Sequence, residues 1–138
     1  RIVMRPTDEA LVSAARQARE KAYAPYSHFF VGAAVEGDDG RIYTGCNVEN
    51  SSYGLTSCAE RNAVFAAVAA GCRKIQSVAV AADEDYTLPC GACRQVLAEF
   101  SAEYIILTAK NGQYRVVKAT ELFPQPFSLQ EDEDERTV

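Results

Sequence analysis

Apolar positions near the start of the chain recur three and four residues apart. Leu11, Ala14, Ala15, Ala18 and Ala22 fall on one stripe, while Arg16, Gln17, Arg19, Glu20 and Lys21 take the other side. That period predicts an amphipathic helix. Thr7-Asp8-Glu9 suits its start, with a hydroxyl for the N-cap and two acids at the positive end of the dipole. Pro25, within Tyr23-Ala24-Pro25-Tyr26-Ser27, ends it, because proline restricts its predecessor and cannot continue the ladder. Phe29 to Glu36 then reads as a strand, Asp38-Asp39-Gly40 as a turn, and Arg41 to Asn47 as the returning strand of a hairpin.

The polar stretch from Asn47 to Thr56 reads as a loop leading to a second helix, Cys58 to Ala70, which Gly71 stops. Ile75 to Ala82 is apolar on both faces, as expected of a strand covered on two sides. Pro89 pre-sets a third helix reaching about Phe100. Tyr104 to Lys110, Asn111-Gly112 and Tyr114 to Lys118 form a second strand–turn–strand unit, and Thr120 to Phe123 a short helix curtailed by Pro124 and Pro126. In the resulting order, α-β-β-α-β-α-β-β, two β-α-β crossovers call for parallel neighbours and two hairpins for antiparallel ones. The predicted fold is α/β: one domain over residues 1–138, a mixed five-stranded sheet with helices on both faces, hence a three-layer α/β/α sandwich.

Composition adds little to this picture, but charge does. Apolar residues make up 48% and charged residues 24% of the 138, an ordinary balance for a globular domain. The net charge of −5 is concentrated at the end, where Glu131 to Glu135 are five consecutive acids against Arg136. The first 130 residues carry 13 basic and 14 acidic side chains, with no basic stripe to neutralise a phosphate backbone. Nucleic acid is therefore disfavoured as a partner, a small uncharged substrate is favoured, and the tail at 131–138 is expected to be mobile and solvated. No apolar run approaches the ~18 residues of a membrane span. The start has no apolar core or small-residue cleavage site of a secretory signal. Five cysteines, an odd number, then fit a reducing, cytoplasmic compartment and metal or catalytic use better than a disulfide framework.

Three of those cysteines carry the chemistry. Cys58 opens the second helix, and Cys90 and Cys93, three apart, share one face at the start of the third. Together they supply three thiolates to one zinc ion, leaving the fourth position open as in catalytic zinc sites. Glu60 stands beside that position without being a ligand, as a general acid/base requires. Arg61 and Arg94 are candidates to offset the excess negative charge of three thiolates. Rival readings exist. Ser57 and Glu60 have the spacing of a capping box. Cys90-Gly91-Ala92-Cys93 beside a β-α-β unit also reads as a thioredoxin-like pair. Cys46, Cys72 or His28 would complete a four-ligand structural zinc, although buried small hydrophobes are the default for the two cysteines and a loop residue for His28.

Cys58-Ala59-Glu60 with Pro89-Cys90-Gly91-Ala92-Cys93 resembles the signature of the zinc nucleoside deaminases, in its three-cysteine variant. Tyr26-Ser27-His28-Phe29-Phe30-Val31-Gly32-Ala33-Ala34 and Gly45-Cys46-Asn47-Val48-Glu49-Asn50 are similar to the small homotetrameric cytidine deaminases, and the similarity runs from about Leu11 to Phe127. The resemblance implies one zinc per chain and hydrolysis of cytidine and 2′-deoxycytidine to uridine and 2′-deoxyuridine with release of ammonia, in pyrimidine salvage. It also implies a homotetramer with shared active sites. By the same likeness Glu60 moves the protons, Asn47 and Glu49 hold the ribose hydroxyls, and Phe29 packs on the base. The Ala59 N–H meets the pyrimidine oxygen, Tyr53 lies near the ribose, and Phe127 reaches a neighbouring subunit's pocket. Asn47, Glu49 and Phe29 also have plainer readings, as a turn former, a solvated acid and a core aromatic. The acidic tail departs from the family's pattern.

Overall fold

A computed structural model of the chain describes residues 6–130, so the acidic tail expected at 131–138 lies outside the described residues. Two hydrophobic seams organise the structure, one on each face of a five-stranded sheet. The strands are β1 (Gly32–Gly37), β2 (Ile42–Cys46), β3 (Ile75–Ala81), β4 (Tyr104–Thr108) and β5 (Tyr114–Lys118), in the order β2-β1-β3-β4-β5. Alternate side chains point to opposite faces. Ala33, Val35, Val78, Val80, Ile105 and Leu107 therefore meet α2 (Ala59–Ala69) and α3 (Gly91–Glu99), while Ala34, Ala79, Ala81 and Ile106 meet α1 (Pro6–Arg19). A short α4 (Ala119–Leu122) follows β5. Each fully buried aliphatic side chain in these seams contributes about 1.5–3 kcal/mol, so the sandwich rests mainly on them.

The mixed three-layer sandwich is as the pattern predicts, but the crossovers are not. Only β3 and β4 are parallel neighbours. The crossover through α2 joins β2 to β3, and β1 is inserted between them, antiparallel to both. A crossover fixes the direction of the strands it joins and not their adjacency; β1, being antiparallel to its hairpin partner, fits between them.

Element ends also shift. The first helix already includes Pro6 and Thr7, so Thr7 lies inside the helix and not at its N-cap, and it stops at Arg19, three residues before Ala22. The last residues tighten into bonds from Glu20, Lys21 and Ala22 N–H to the carbonyls of Gln17, Ala18 and Arg19. β1 begins at Gly32, not at Phe29. α3 begins at Gly91 with Cys90 as its N-cap, placing Pro89 just outside the helix. Within the expected loop, Tyr53–Leu55 forms a 3₁₀ turn.

Two contacts between layers depend on missing side chains. A Cβ on Gly32 would lie 2.0 Å from the Ala15 carbonyl oxygen, so α1 seats directly on the start of β1. A Cβ on Gly45 would lie 2.4 Å from the Ala63 nitrogen and 2.6 Å from the Ala59 oxygen, so β2 approaches the backbone of α2 equally closely. That second contact fixes the helix that carries Cys58 and Glu60.

Candidate active site

Cys58 is the N-cap of α2 and Cys90 the N-cap of α3, with Cys93 one turn into α3. Neither N-cap makes a side-chain capping bond, so neither thiol is engaged with its own helix start. The Sγ atoms of Cys58 and Cys90 are 3.9 Å apart, those of Cys90 and Cys93 3.5 Å, and all three lie within 4.8 Å of one another. Tetrahedral zinc with bonds of about 2.3 Å requires sulfurs roughly 3.8 Å apart. The donor set fits one zinc ion, without a large movement of any of the three.

The electrostatics favour a thiolate at Cys58. Cys58 is pulled down to about 5, chiefly by the hydrogen bond from the Cys93 thiol and then by Arg61, against the opposing effect of burial. Cys93 is pushed up in turn, by that same bond, by burial and by the charge of Glu60. Of these two, Cys58 holds the negative charge and Cys93 the proton. Arg61 Nη2 donates to Cys58 Sγ at 3.3 Å, giving Arg61 the offsetting position suggested by its place in the motif. Arg94 does not share it. Its Nε donates to the Pro89 carbonyl at 2.8 Å and its Nη1 to the Leu122 carbonyl at 2.9 Å, so Arg94 braces the loop before α3 against α4.

Glu60, in the first turn of α2, is only 5% exposed. Its carboxyl is raised to about 7, mainly by burial and further by the nearby Cys58 charge, against the lowering effects of its own backbone N–H and of Arg61. The capping-box alternative does not hold. Cys58 and not Ser57 is the N-cap, and the Ser57 hydroxyl donates to Asn62 Oδ1 at 2.7 Å. Asn62 Nδ2 in turn donates to the Cys46 carbonyl at 2.8 Å, tying the start of α2 to the end of β2. Of the cysteines considered as spare ligands, Cys72 is buried and Cys46 half-buried with its thiol turned to the Lys21 carbonyl. Neither joins the cluster of three.

A second group of residues gathers around the Tyr26–Val31 loop. Asn47 Oδ1 accepts from the Val31 N–H at 2.9 Å and its Nδ2 donates to the Phe29 carbonyl at 2.8 Å. Glu49 accepts from the Tyr26 and Ser27 N–H groups at 3.0 and 3.1 Å, and from the Ser27 hydroxyl, which holds its carboxyl below the usual range. Ser27 Oγ also accepts from the Phe29 N–H at 3.0 Å, and His28 between them has a left-handed φ of 57°. Paired backbone bonds between Val48 and Ser57, at 2.9 and 3.0 Å, join this group to the residue just before Cys58.

Two further sequence candidates, Tyr53 and Phe127, are exposed. Tyr53 is 74% exposed with its ring 5.9 Å from that of Tyr26. Phe127 is 69% exposed, on a segment held by a bond from Gln95 to the Phe127 carbonyl. Ser27 and Asn62 were given no role by sequence reasoning. Ser27 had a readable signal, since a serine two residues before an N–H in a non-helical stretch commonly accepts its bond. Asn62 had none, because its partners come from β2 and the preceding loop.

Comparison with known proteins places this geometry. Residues 5–109 match the family model described as "Cytidine and deoxycytidylate deaminase zinc-binding region". A cytidine deaminase of Sporosarcina psychrophila is 48% identical over 126 residues, which is 89% of this chain and 93% of that protein. The crystal structure of a cytidine deaminase from Burkholderia pseudomallei superposes with a TM-score of 0.80 at 48% identity, covering 90% of this chain and all of that one. One from Mycobacterium tuberculosis gives 0.75 at 41%, covering 87% and 96%. Similarity at this level extends over nearly the whole of both chains. The chain belongs to the cytidine and deoxycytidylate deaminases that share this zinc-binding region.

Proposed function

We propose that this protein hydrolyses cytidine and 2′-deoxycytidine to uridine and 2′-deoxyuridine, releasing ammonia, in pyrimidine salvage. The observation that carries the reading is the buried Glu60 beside three thiols that converge from two helix N-termini. Cys58, Cys90 and Cys93 would hold one zinc ion, which when bound would supply Lewis-acid activation of a water molecule. Glu60 takes a proton from the attacking water and passes it to the pyrimidine N3, then carries the second proton from the new C4 hydroxyl to the departing amino group, so that nitrogen leaves as ammonia. The oxygen added at C4 becomes the carbonyl of uridine. Arg61, donating to Cys58, keeps the thiolate cluster from becoming too electron-rich to activate water.

The other roles are those the family resemblance implies, and the geometry of the second group supports them. Ala59 is the first residue of α2, and first-turn N–H groups have no acceptor within their helix, which leaves its N–H for the pyrimidine oxygen. Phe29 packs on the base, Asn47 and Glu49 bind the ribose hydroxyls, and Tyr53 closes the ribose side. Asn47 and Glu49 are already held in place by the backbone of the 26–31 loop, so little rotamer freedom is lost on binding.

The assay is the ultraviolet absorbance of cytidine incubated with the protein, with and without prior chelation. Conversion that stops on chelation and returns with zinc, together with about one zinc per chain by elemental analysis, is the expected result. Zinc-loaded protein that leaves both nucleosides intact would sink the reading.

No described helix is long and apolar enough to cross a membrane. A cytoplasmic enzyme is proposed on the reducing conditions that three free thiols require. The assembly proposed is a homotetramer. Val48, Leu55 and Phe65 are exposed large hydrophobics, and their burial between copies of the chain supports that assembly. The exposed Phe127 then completes a neighbouring subunit's pocket. Light scattering is expected to give four chains per particle; a fully active monomer would remove the shared pocket.

A further inference from the structure

Residues 29–31 are apolar and extended enough to look like a strand, yet β1 starts only at Gly32. Apart from the Val31 carbonyl, which accepts from the Asn47 N–H at 3.2 Å, their backbone is held by side chains instead. The Phe30 N–H donates to Asp83 Oδ2 at 2.9 Å, the Phe30 carbonyl accepts from Arg19 Nε at 3.0 Å, and Arg19 Nη2 pairs with Asp83 Oδ1. One residue is thus clamped from both sides by two side chains that also clamp each other. Asn47 holds the flanking groups, the Phe29 carbonyl and the Val31 N–H.

We infer that Arg19 and Asp83 are positioning residues that fix the Phe29 ring for the nucleoside base; the inference rests on the proposed function above. Docking α1 onto the sheet does not need them. Leu11, Val12 and Ala15 already bury that helix against Ala34, Ala79, Ala81 and Ile106. The pair itself is part-exposed, at 37% for Arg19 and 27% for Asp83, where an ion pair adds little to stability. What it does, and what the apolar seam does not, is determine where the Phe30 peptide groups sit, and through them the residue before. Arginine suits this use because its planar fork serves the carbonyl through Nε and the carboxylate through Nη2 together, which a lysine point charge does not.

The test compares Asp83→Ala, Asp83→Asn and Arg19→Lys with wild type in the zinc-loaded protein. Ile106→Val serves as a control that weakens the same helix–sheet seam without touching residues 29–31. Asp83→Ala is expected to raise KM for cytidine by about tenfold with kcat within about threefold and zinc content unchanged, the signature of lost substrate binding. Asp83→Asn keeps an acceptor for the Phe30 N–H and is expected to recover most of that loss. Arg19→Lys retains the charge, and thus the fold, and is expected to raise KM by roughly threefold. Ile106→Val is expected to lower Tm while KM stays at the wild-type value. If Asp83→Ala does not fold, Arg19→Lys decides the matter by itself. KM within twofold of wild type in every folded variant overturns the inference, as does a KM rise in Ile106→Val equal to theirs. A wild-type protein that converts neither nucleoside overturns the functional reading and this one with it; an active wild type beside unaffected variants overturns this one alone.

Discussion

Glu60→Gln is expected to keep the fold and about one zinc per chain while losing roughly 10³- to 10⁴-fold in kcat. The substitution preserves shape and a polar head, so the start of α2 has no reason to move. A glutamine amide, however, cannot take a proton from water and hand it to a ring nitrogen. Because the step lost is proton transfer and not binding, KM is expected to change far less than kcat. Elemental analysis and steady-state kinetics on one preparation check both halves. A variant with near wild-type turnover would mean that Glu60 only shapes its helix. A variant without zinc would mean that the carboxylate holds the cluster together.

Gly45→Ala is the second large effect, and it acts without touching the chemistry. The added methyl would meet the Ala63 nitrogen and the Ala59 oxygen, both backbone, so no side chain can swing away to admit it. Either β2 or α2 must shift. Overpacking of this kind costs about 1–3 kcal/mol, and in a domain of this size that lowers Tm by on the order of 5–10 °C. α2 carries Cys58, Ala59 and Glu60, and a displacement near 1 Å at reacting groups costs on the order of 10²-fold in rate. Thermal melts and kcat are therefore expected to fall together. Gly54→Ala, where an added Cβ meets nothing within 4 Å, is the stability control. A Gly45→Ala protein with wild-type Tm would show that the α2–β2 contact yields easily.

The elements themselves were legible because their signals are local. Leu11 to Ala18 at helical spacing, the largely apolar run of Ile75 to Ala81 and the Asn111-Gly112 turn each declare a period or a breaker within a few residues. Phe29 to Val31 misled for the same reason, being as apolar as a strand. Their hydrogen bonds go to Ser27, Asn47, Asp83 and Arg19, and a pattern of apolar positions carries no record of hydrogen-bond partners. Ala22 fits the stripe of the first helix, but the helix ends at Arg19, whose guanidinium reaches Phe30 and Asp83. Sheet order was hidden too, since the hairpin and the crossover are equally satisfied whether β1 lies inside or outside β2.

Within the site, the thiols and Glu60 could be found because zinc chemistry demands particular residue types at particular spacings. The opposite fates of Arg61 and Arg94 could not. Each stands beside a motif residue in sequence, and only the direction of its own helix turn sends one to a thiolate and the other to Leu122.

The thiols that meet at the two helix starts also impose an order on the making of the protein. Cys58 and Cys90 are 32 residues apart in the chain, and all of β3 lies between them. A nascent chain that ends before Cys90 already carries Glu60, the loop around Phe29 and three of the five strands, yet only one of the three sulfurs. The ion can find its full set of donors only after β3 has been laid beside β1 and the first turn of α3 has formed. Metal retention thus records that the second half of the sheet is in place, and a chain whose β3 fails to pair is left without a tight zinc site.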